Sequence, residues 1–129
     1  MRLLFLLPLL VGCSQSELPA LQRTLDLYAE LAARGSSLET VLSGQALESA
    51  QKSNQLLQSL GLSQSGLAKF ELLAAGEGMG KGCLDMSEVE LFNQKGERVS
   101  PTRLDRVEFE VQYENDFLIT ALSIGDQPC

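Results

Sequence analysis

The sequence predicts a single α+β domain in which N-terminal helices pack on a curved antiparallel sheet. Apolar residues recur at steps of three and four in the first half of the chain and at steps of two in the second half. The chain has 129 residues, the usual size of one domain. With 44% hydrophobic and 21% charged residues, it can bury a core and is not a disordered tail.

The first helix is predicted over residues 17–33. Ser16 can cap its N-terminus, and Gly35 lies where a left-handed residue commonly ends a helix. Its apolar stripe consists of Leu18, Leu21, Leu25, Tyr28 and either Leu31 or Ala32.

A second helical region is predicted to follow at once. Residues 36–39 form a capping box, and Gly44 is predicted to break or kink the segment that continues to Gly61. We therefore expect one interrupted helix or two short ones, with a stripe of Ala46, Leu47, Ala50, Asn54, Leu57 and Leu60.

The first two predicted strands flank a glycine-rich stretch. Residues 67–74 alternate between apolar and other side chains, and residues 76–82 are predicted to be a flexible hairpin connection. Residues 83–92 follow as the next strand, with a bulge where the alternation slips at 86–88. A turn at 93–96 ends it.

The last two predicted strands form a hairpin. Residues 106–114 alternate most clearly, and residues 115–116 turn the chain into 117–124. The latter segment is apolar on both faces, which predicts a central or helix-covered strand.

The N-terminus has the pattern of a signal peptide. Arg2 precedes an apolar run over residues 3–11, which is shorter than the roughly 20 residues of a membrane span. Leu10-Val11-Gly12-Cys13 resembles the lipobox of bacterial lipoproteins, in which the cysteine thiol receives a diacylglycerol before cleavage. An ordinary secretory signal and a buried N-terminal helix are the alternatives.

This resemblance divides the chain into a signal peptide (1–12), a lipidated tether (13–17) and one domain (18–129). It places the domain in the cell envelope, outside the cytoplasm, with membrane lipid attached through Cys13. Ser14 after the cysteine implies the outer membrane in a Gram-negative cell, and a Gram-positive cell would carry the protein on its single membrane. The sequence does not choose between them.

The two remaining cysteines, Cys83 and Cys129, are predicted to form a disulfide in an oxidising compartment. Free thiols or a metal site are the alternatives. The sequence contains no histidine and no Cys-x-x-Cys spacing, so we predict no metal site.

The element order also resembles the NTF2-like (SnoaL-like) lipoproteins. The resemblance rests on a long first helix with Tyr28, a second helical region, and strands that close with residues 107–113 and a C-terminal cysteine. It implies a cone of helices and bent sheet whose open end holds a ligand or a partner. Many members of that family are dimers or non-catalytic accessory domains.

Catalysis is limited by residue types. Without histidine, only carboxylates could act as acids or bases, and Asp85 is the best candidate among them. The glycines at 76–82 match neither a P-loop nor a dinucleotide fingerprint. No acidic ladder suits calcium, and the net charge of −7 disfavours nucleic acid. We predict no catalytic residue and no cofactor.

Two functions remain open. The first is a non-catalytic domain that binds an envelope protein or its own copy through the sheet face carrying Glu108, Glu110 and Gln112. The second is a cone pocket that binds or turns over a small apolar molecule. Its predicted lining, residues that are more often plain core, is Tyr28, Phe70, Met86, Phe109 and Phe117.

Overall fold

The computed structural model describes the backbone of residues 2–99, 103–114 and 116–129, and the side chains of these residues from 17 onward. Its two helices and two antiparallel sheets confirm the α+β class. The elements are α1 (Arg2–Arg34), α2 (Gly44–Ser59), β1 (Ser63–Ser65), β2 (Lys69–Gly76), β3 (Met79–Asp85), β4 (Glu90–Phe92), β5 (Arg98–Val99), β6 (Arg106–Tyr113) and β7 (Ile119–Pro128).

Helix α1 is longer than predicted. It continues without a break through Ser16, so this residue is not an N-cap, because the leucine-rich segment before it also favours a helix. The C-terminal end of α1 is as predicted. Gly35 has φ +67°, and the amides of Gly35 and Ser36 donate to the carbonyls of Ala32 and Leu31 in a Schellman motif. Among the described residues, no helix is both long and apolar enough to cross a membrane.

The predicted helix start at residues 36–39 is wrong. The amide of Val41 donates to the carbonyl of Leu38 in a turn, and both side chains are buried. The chain then pairs with the start of β7, where the amide of Ser43 donates to the carbonyl of Ile119. This tertiary pairing overrides the local capping signal, and α2 begins only at Gly44.

The main sheet has the order β2-β3-β6-β7, and all its neighbours are antiparallel. Strand β6 alternates as predicted between exposed and buried residues. Strand β7 lies at an edge, not in the centre, and α2 packs against it. One face of this sheet, which we call the inner face, forms the core with α1, α2 and the turn before α2. The largest fully buried side chains are Phe109, Leu21, Leu25, Leu42, Leu84, Ile119 and Val111.

The predicted single strand over residues 83–92 is two strands in two sheets. Strand β3 ends at Asp85, where the amide of Met86 donates to the carbonyl of Asp105. Strand β4 then pairs with β1 and β5 in a separate small sheet. The alternation slips at 86–88 because the chain leaves one sheet there and enters the other.

Most of the glycine-rich stretch is strand, not a flexible connection. Only Glu77 and Gly78, both with positive φ, turn the chain between β2 and β3. Gly80 and Gly82 are buried within β3. A Cβ on Gly82 would lie 2.0 Å from the carbonyl oxygen of Glu71 on β2. Glycine is therefore required here by the close approach of two backbones.

We expect Gly82→Ala to lower the free energy of unfolding by about 2–3 kcal/mol, because β2 and β3 must separate to admit the methyl group. Gly76→Ala is the matched control, since a Cβ there has no heavy atom within 4 Å. Its effect should stay within about 0.5 kcal/mol. Urea unfolding measures both variants, and equal stabilities would contradict the packing role of Gly82.

Candidate functional site

The face of the main sheet opposite the core is exposed, and we call it the outer face. The registers place Met79, Lys81 and Cys83 of β3 directly beside residues of β6 on this face. Its exposed side chains include Lys69, Glu71, Leu73, Met79, Lys81, Glu108, Glu110, Gln112 and Ser123. It is therefore a mixed surface of charged and apolar groups.

The predicted surface residues Glu108, Glu110 and Gln112 all lie on this face. They alternate along β6 with buried side chains, and the register sets Lys81 beside Glu110. Among the described side chains, no ion pair joins Lys81 to either glutamate. These charges can therefore meet charges of a partner without first breaking a salt bridge.

Adjacent hollows indent the outer face. The largest has a volume of about 370 Å³ and is lined in part by Leu73, Lys81, Glu108 and Glu110. A second, of about 230 Å³, shares Lys81 and Glu110 and adds Met79. Leu73 and Met79 are 64% and 53% exposed, so apolar groups stand beside the charged ones. Such a surface suits a protein or peptide partner, since interfaces combine apolar patches with polar rims.

The predicted disulfide joins Cys83 of β3 to Cys129, and their Cα atoms are 5.9 Å apart. Strand β6 lies between β3 and β7, so the end of the chain must cross β6 on the outer face. A Cβ on Gly125 would lie 3.2 Å from the carbonyl oxygen of Glu108, which shows how closely this segment passes β6. Both cysteines line the largest hollow, and the disulfide fixes part of its wall.

Three residues of the predicted pocket lining lie together, but as packed aromatic rings. The ring of Phe70 is 5.7 Å from that of Tyr28 and 5.1 Å from that of Phe109, measured between centroids. Phe70 and Phe109 are buried, and burial raises the pKa of Tyr28. These three rings therefore pack against one another as part of the core and do not surround a cavity.

The other two residues of that set lie elsewhere. Met86 packs against the core just beyond β3, and Phe117 stacks on Tyr113 at a centroid distance of 5.6 Å. Among the cavities formed by described residues, none is lined by all five.

A separate groove runs between the helices and β7, and we call it the groove below α2. It has a volume of about 330 Å³ and includes Tyr28, Leu57, Leu122 and Ile124. The rest of its lining is small or uncharged, namely Ala32, Leu38, Ala46, Ser49, Ala50, Ser53, Asn54 and Gln64. Sequence reasoning missed this groove. Asn54 on the otherwise apolar stripe of α2 was the available signal, since a polar residue there indicates an incompletely buried face.

Asp85 lies at the end of β3 and accepts a hydrogen bond from the amide of Ser87 at 2.9 Å. This bond holds the pKa of the Asp85 carboxyl below its usual value. A general acid at neutral pH needs the opposite shift. Within the described part of the chain, no group of three histidine, cysteine or acidic residues could hold a metal ion.

Comparison with known proteins adds no assignment. No protein-family profile, curated protein or solved structure matches this chain.

The disulfide closes a long loop, because its cysteines have a sequence separation of 46. We expect Cys129→Ser to lower the free energy of unfolding by about 4 kcal/mol, because the unfolded chain regains the entropy that the crosslink removed. Urea unfolding of the oxidised parent, the reduced parent and the variant tests this. The reduced parent should match the variant, and no difference between oxidised and reduced protein would contradict a stabilising crosslink.

Proposed function

We propose that the chain is an extracytoplasmic lipoprotein, held to a membrane through Cys13, whose domain binds an envelope protein and catalyses no reaction. The outer face is the observation that carries the binding function. It is an exposed, indented sheet face, crossed by the end of the chain, on which apolar groups lie beside charged groups such as Lys81 and Glu110 that form no ion pair among the described side chains. The interior, in contrast, is packed with side chains.

The anchor is supported by the lipobox-like segment and by the position of α1. The helix runs from Cys13 directly into Leu18, which packs against the core. Five helical residues advance about 7 Å, so a lipid on Cys13 would hold the domain close to the bilayer. Two acyl chains suffice for stable attachment.

The end of the domain nearest Cys13 is acidic. The hydroxyl of Tyr113 donates to Glu17 at 3.2 Å, and the amide of Tyr113 donates to the carbonyl of Gly78. These contacts bring two turns of the main sheet, with Glu77, Glu114 and Asp116, to this end. Carboxylates are repelled by anionic headgroups. Lipid on Cys13 would therefore supply the attachment, without help from the protein surface.

The NTF2-like relationship is part of this proposal. It is supported by the order of the elements and by helices that cover one face of an antiparallel sheet. In such a cone, Leu21, Leu25, Phe70 and Phe109 would fill the interior. A filled cone favours the non-catalytic members of that family.

A second candidate is a domain that binds or turns over a small apolar molecule in the groove below α2. Its volume of about 330 Å³ and its uncharged lining favour binding of such a molecule. No carboxylate is among its lining residues, so binding is better supported than turnover.

Cys13→Ala should abolish attachment of lipid, because the thiol is the acylation site. Labelling of the protein with radioactive palmitate in bacteria measures this, and Ser14→Ala is the neighbouring control that should be labelled like the parent. The lipoprotein assignment fails if Cys13→Ala is labelled as strongly as the parent.

Reversal of both charges on β6, by Glu108→Lys with Glu110→Lys, should weaken capture of the partner in the native envelope. Crosslinking followed by mass spectrometry measures capture. The free energy of unfolding, measured by thermal unfolding, should change by no more than about 0.5 kcal/mol, because both residues are exposed.

The matched control is Glu30→Lys with Glu39→Lys, which makes the same change of charge at exposed positions outside the main sheet. If this control weakens capture as much as the β6 pair, overall charge explains the effect. If neither pair weakens it, the outer face is not the binding surface.

A further inference from the structure

The edge of the main sheet formed by β2 is covered in part by a side chain. The amide of Gln22 on α1 donates to the carbonyl of Phe70, and its oxygen accepts from the amide of Leu72 at 2.9 Å. One glutamine thus satisfies two backbone groups that would otherwise face outward. Edge strands covered in this way cannot accept another strand at those positions.

The opposite edge is closed only at its beginning. The amide of Ile119 donates to the carbonyl of Val41, and its carbonyl accepts from the amide of Ser43, both at 2.9 Å. From Thr120 to Ile124, β7 pairs with β6 alone among the described residues, and beyond Ile124 the register shifts before the chain crosses β6. This edge therefore presents a row of backbone N–H and C=O groups to one side.

The open edge borders the groove below α2. Leu122 and Ile124 of β7 form one wall, and Ser53, Asn54 and Leu57 of α2 contribute to the other. Ile124 is 52% exposed although it belongs to the inner face. A strand added beside β7 would direct every second side chain toward this groove.

We propose that residues 120–124 of β7, together with the groove below α2, bind an extended segment of a partner protein by β-strand addition. The backbone edge recognises an extended polypeptide, and the uncharged groove accepts apolar side chains at alternate positions. This site is separate from the outer face and does not depend on the lipid anchor.

The negative charge of the chain favours a basic partner segment at the β7 edge. The chain carries a net charge of −7, and the one charged residue of β7 is Asp126. A second copy would bring the same charge and set like charges against each other, whereas a segment flanked by lysines is complementary. The partner segment is thus apolar at alternate positions and basic at its ends.

The probe is a fluorescent eight-residue peptide of alternating valine and threonine with a lysine at each end, added to the full-length protein in detergent. Fluorescence anisotropy measures binding. A second peptide has the same sequence with N-methyl groups on every other backbone amide. This change removes the N–H donors along one edge of the peptide. The first peptide should bind, and at least tenfold more tightly than the methylated one.

Ile124→Lys should weaken binding of the first peptide at least tenfold, because it places a charge at the mouth of the groove. Leu104→Lys is the matched control, since Leu104 is 48% exposed and lies outside both the groove and the main sheet, and it should bind like the parent. Circular dichroism verifies that both variants are folded.

Three results would overturn the proposal: equal affinity for the two peptides, no binding of either, or equal loss in both variants. Sedimentation of the parent and of Ile124→Lys identifies the other occupant. A parent dimer that Ile124→Lys dissociates and that the peptide does not disturb would assign the edge to a second copy and would also reject the proposal.

Discussion

The close approach of α1 to the middle of the main sheet determines much of the rest of the structure. It depends on Gly80, where a Cβ would lie 2.8 Å from the side chain of Leu21. With Leu21 buried at that point, the neighbouring Gln22 reaches the edge of β2. One turn earlier, Glu17 reaches the hydroxyl of Tyr113. A side chain at position 80 would therefore disturb the core, one sheet edge and the orientation of the helix that leads to Cys13.

The two faces of the main sheet differ in the side chains that they carry. The inner face is filled by aliphatic and aromatic side chains, including the three packed rings around Phe70, and leaves space only at the groove below α2. The outer face carries the charges and is crossed by the chain on its way to the disulfide. Stability thus comes chiefly from one face and the crosslink.

Local periodicity correctly predicted those elements in which buried and exposed side chains recur regularly along the element's own sequence. The alternation of β6 and the stripe of α1 are clear because one side of each meets the core and the other meets water. The disulfide was predictable from the number of remaining cysteines and the absence of other ligands. These features need no knowledge of which strands are neighbours.

The errors share a cause, which is pairing between distant segments. The capping box at 36–39 fails because the residues that follow it, Val41 and Ser43, are held by Ile119. Gly82 of β3 is required by the backbone of β2. The free edge of β7 depends on strand order, which no run of residues records. The same limit applies to the site. The charges of the outer face could be predicted, but its hollows and the groove below α2 could not.

Partial closure of the β2 edge by Gln22 has a consequence for molecules concentrated on a surface. A sheet with two open edges can add strands at both, so that neighbouring molecules join into a growing fibre. Here Gln22 satisfies the carbonyl of Phe70 and the amide of Leu72, so a strand added at the β2 edge would lack hydrogen bonds at those two positions. Strand addition is therefore favoured at β7 over β2. With the lipid anchor proposed above, this asymmetry would disfavour polymerisation of copies crowded in two dimensions along a membrane.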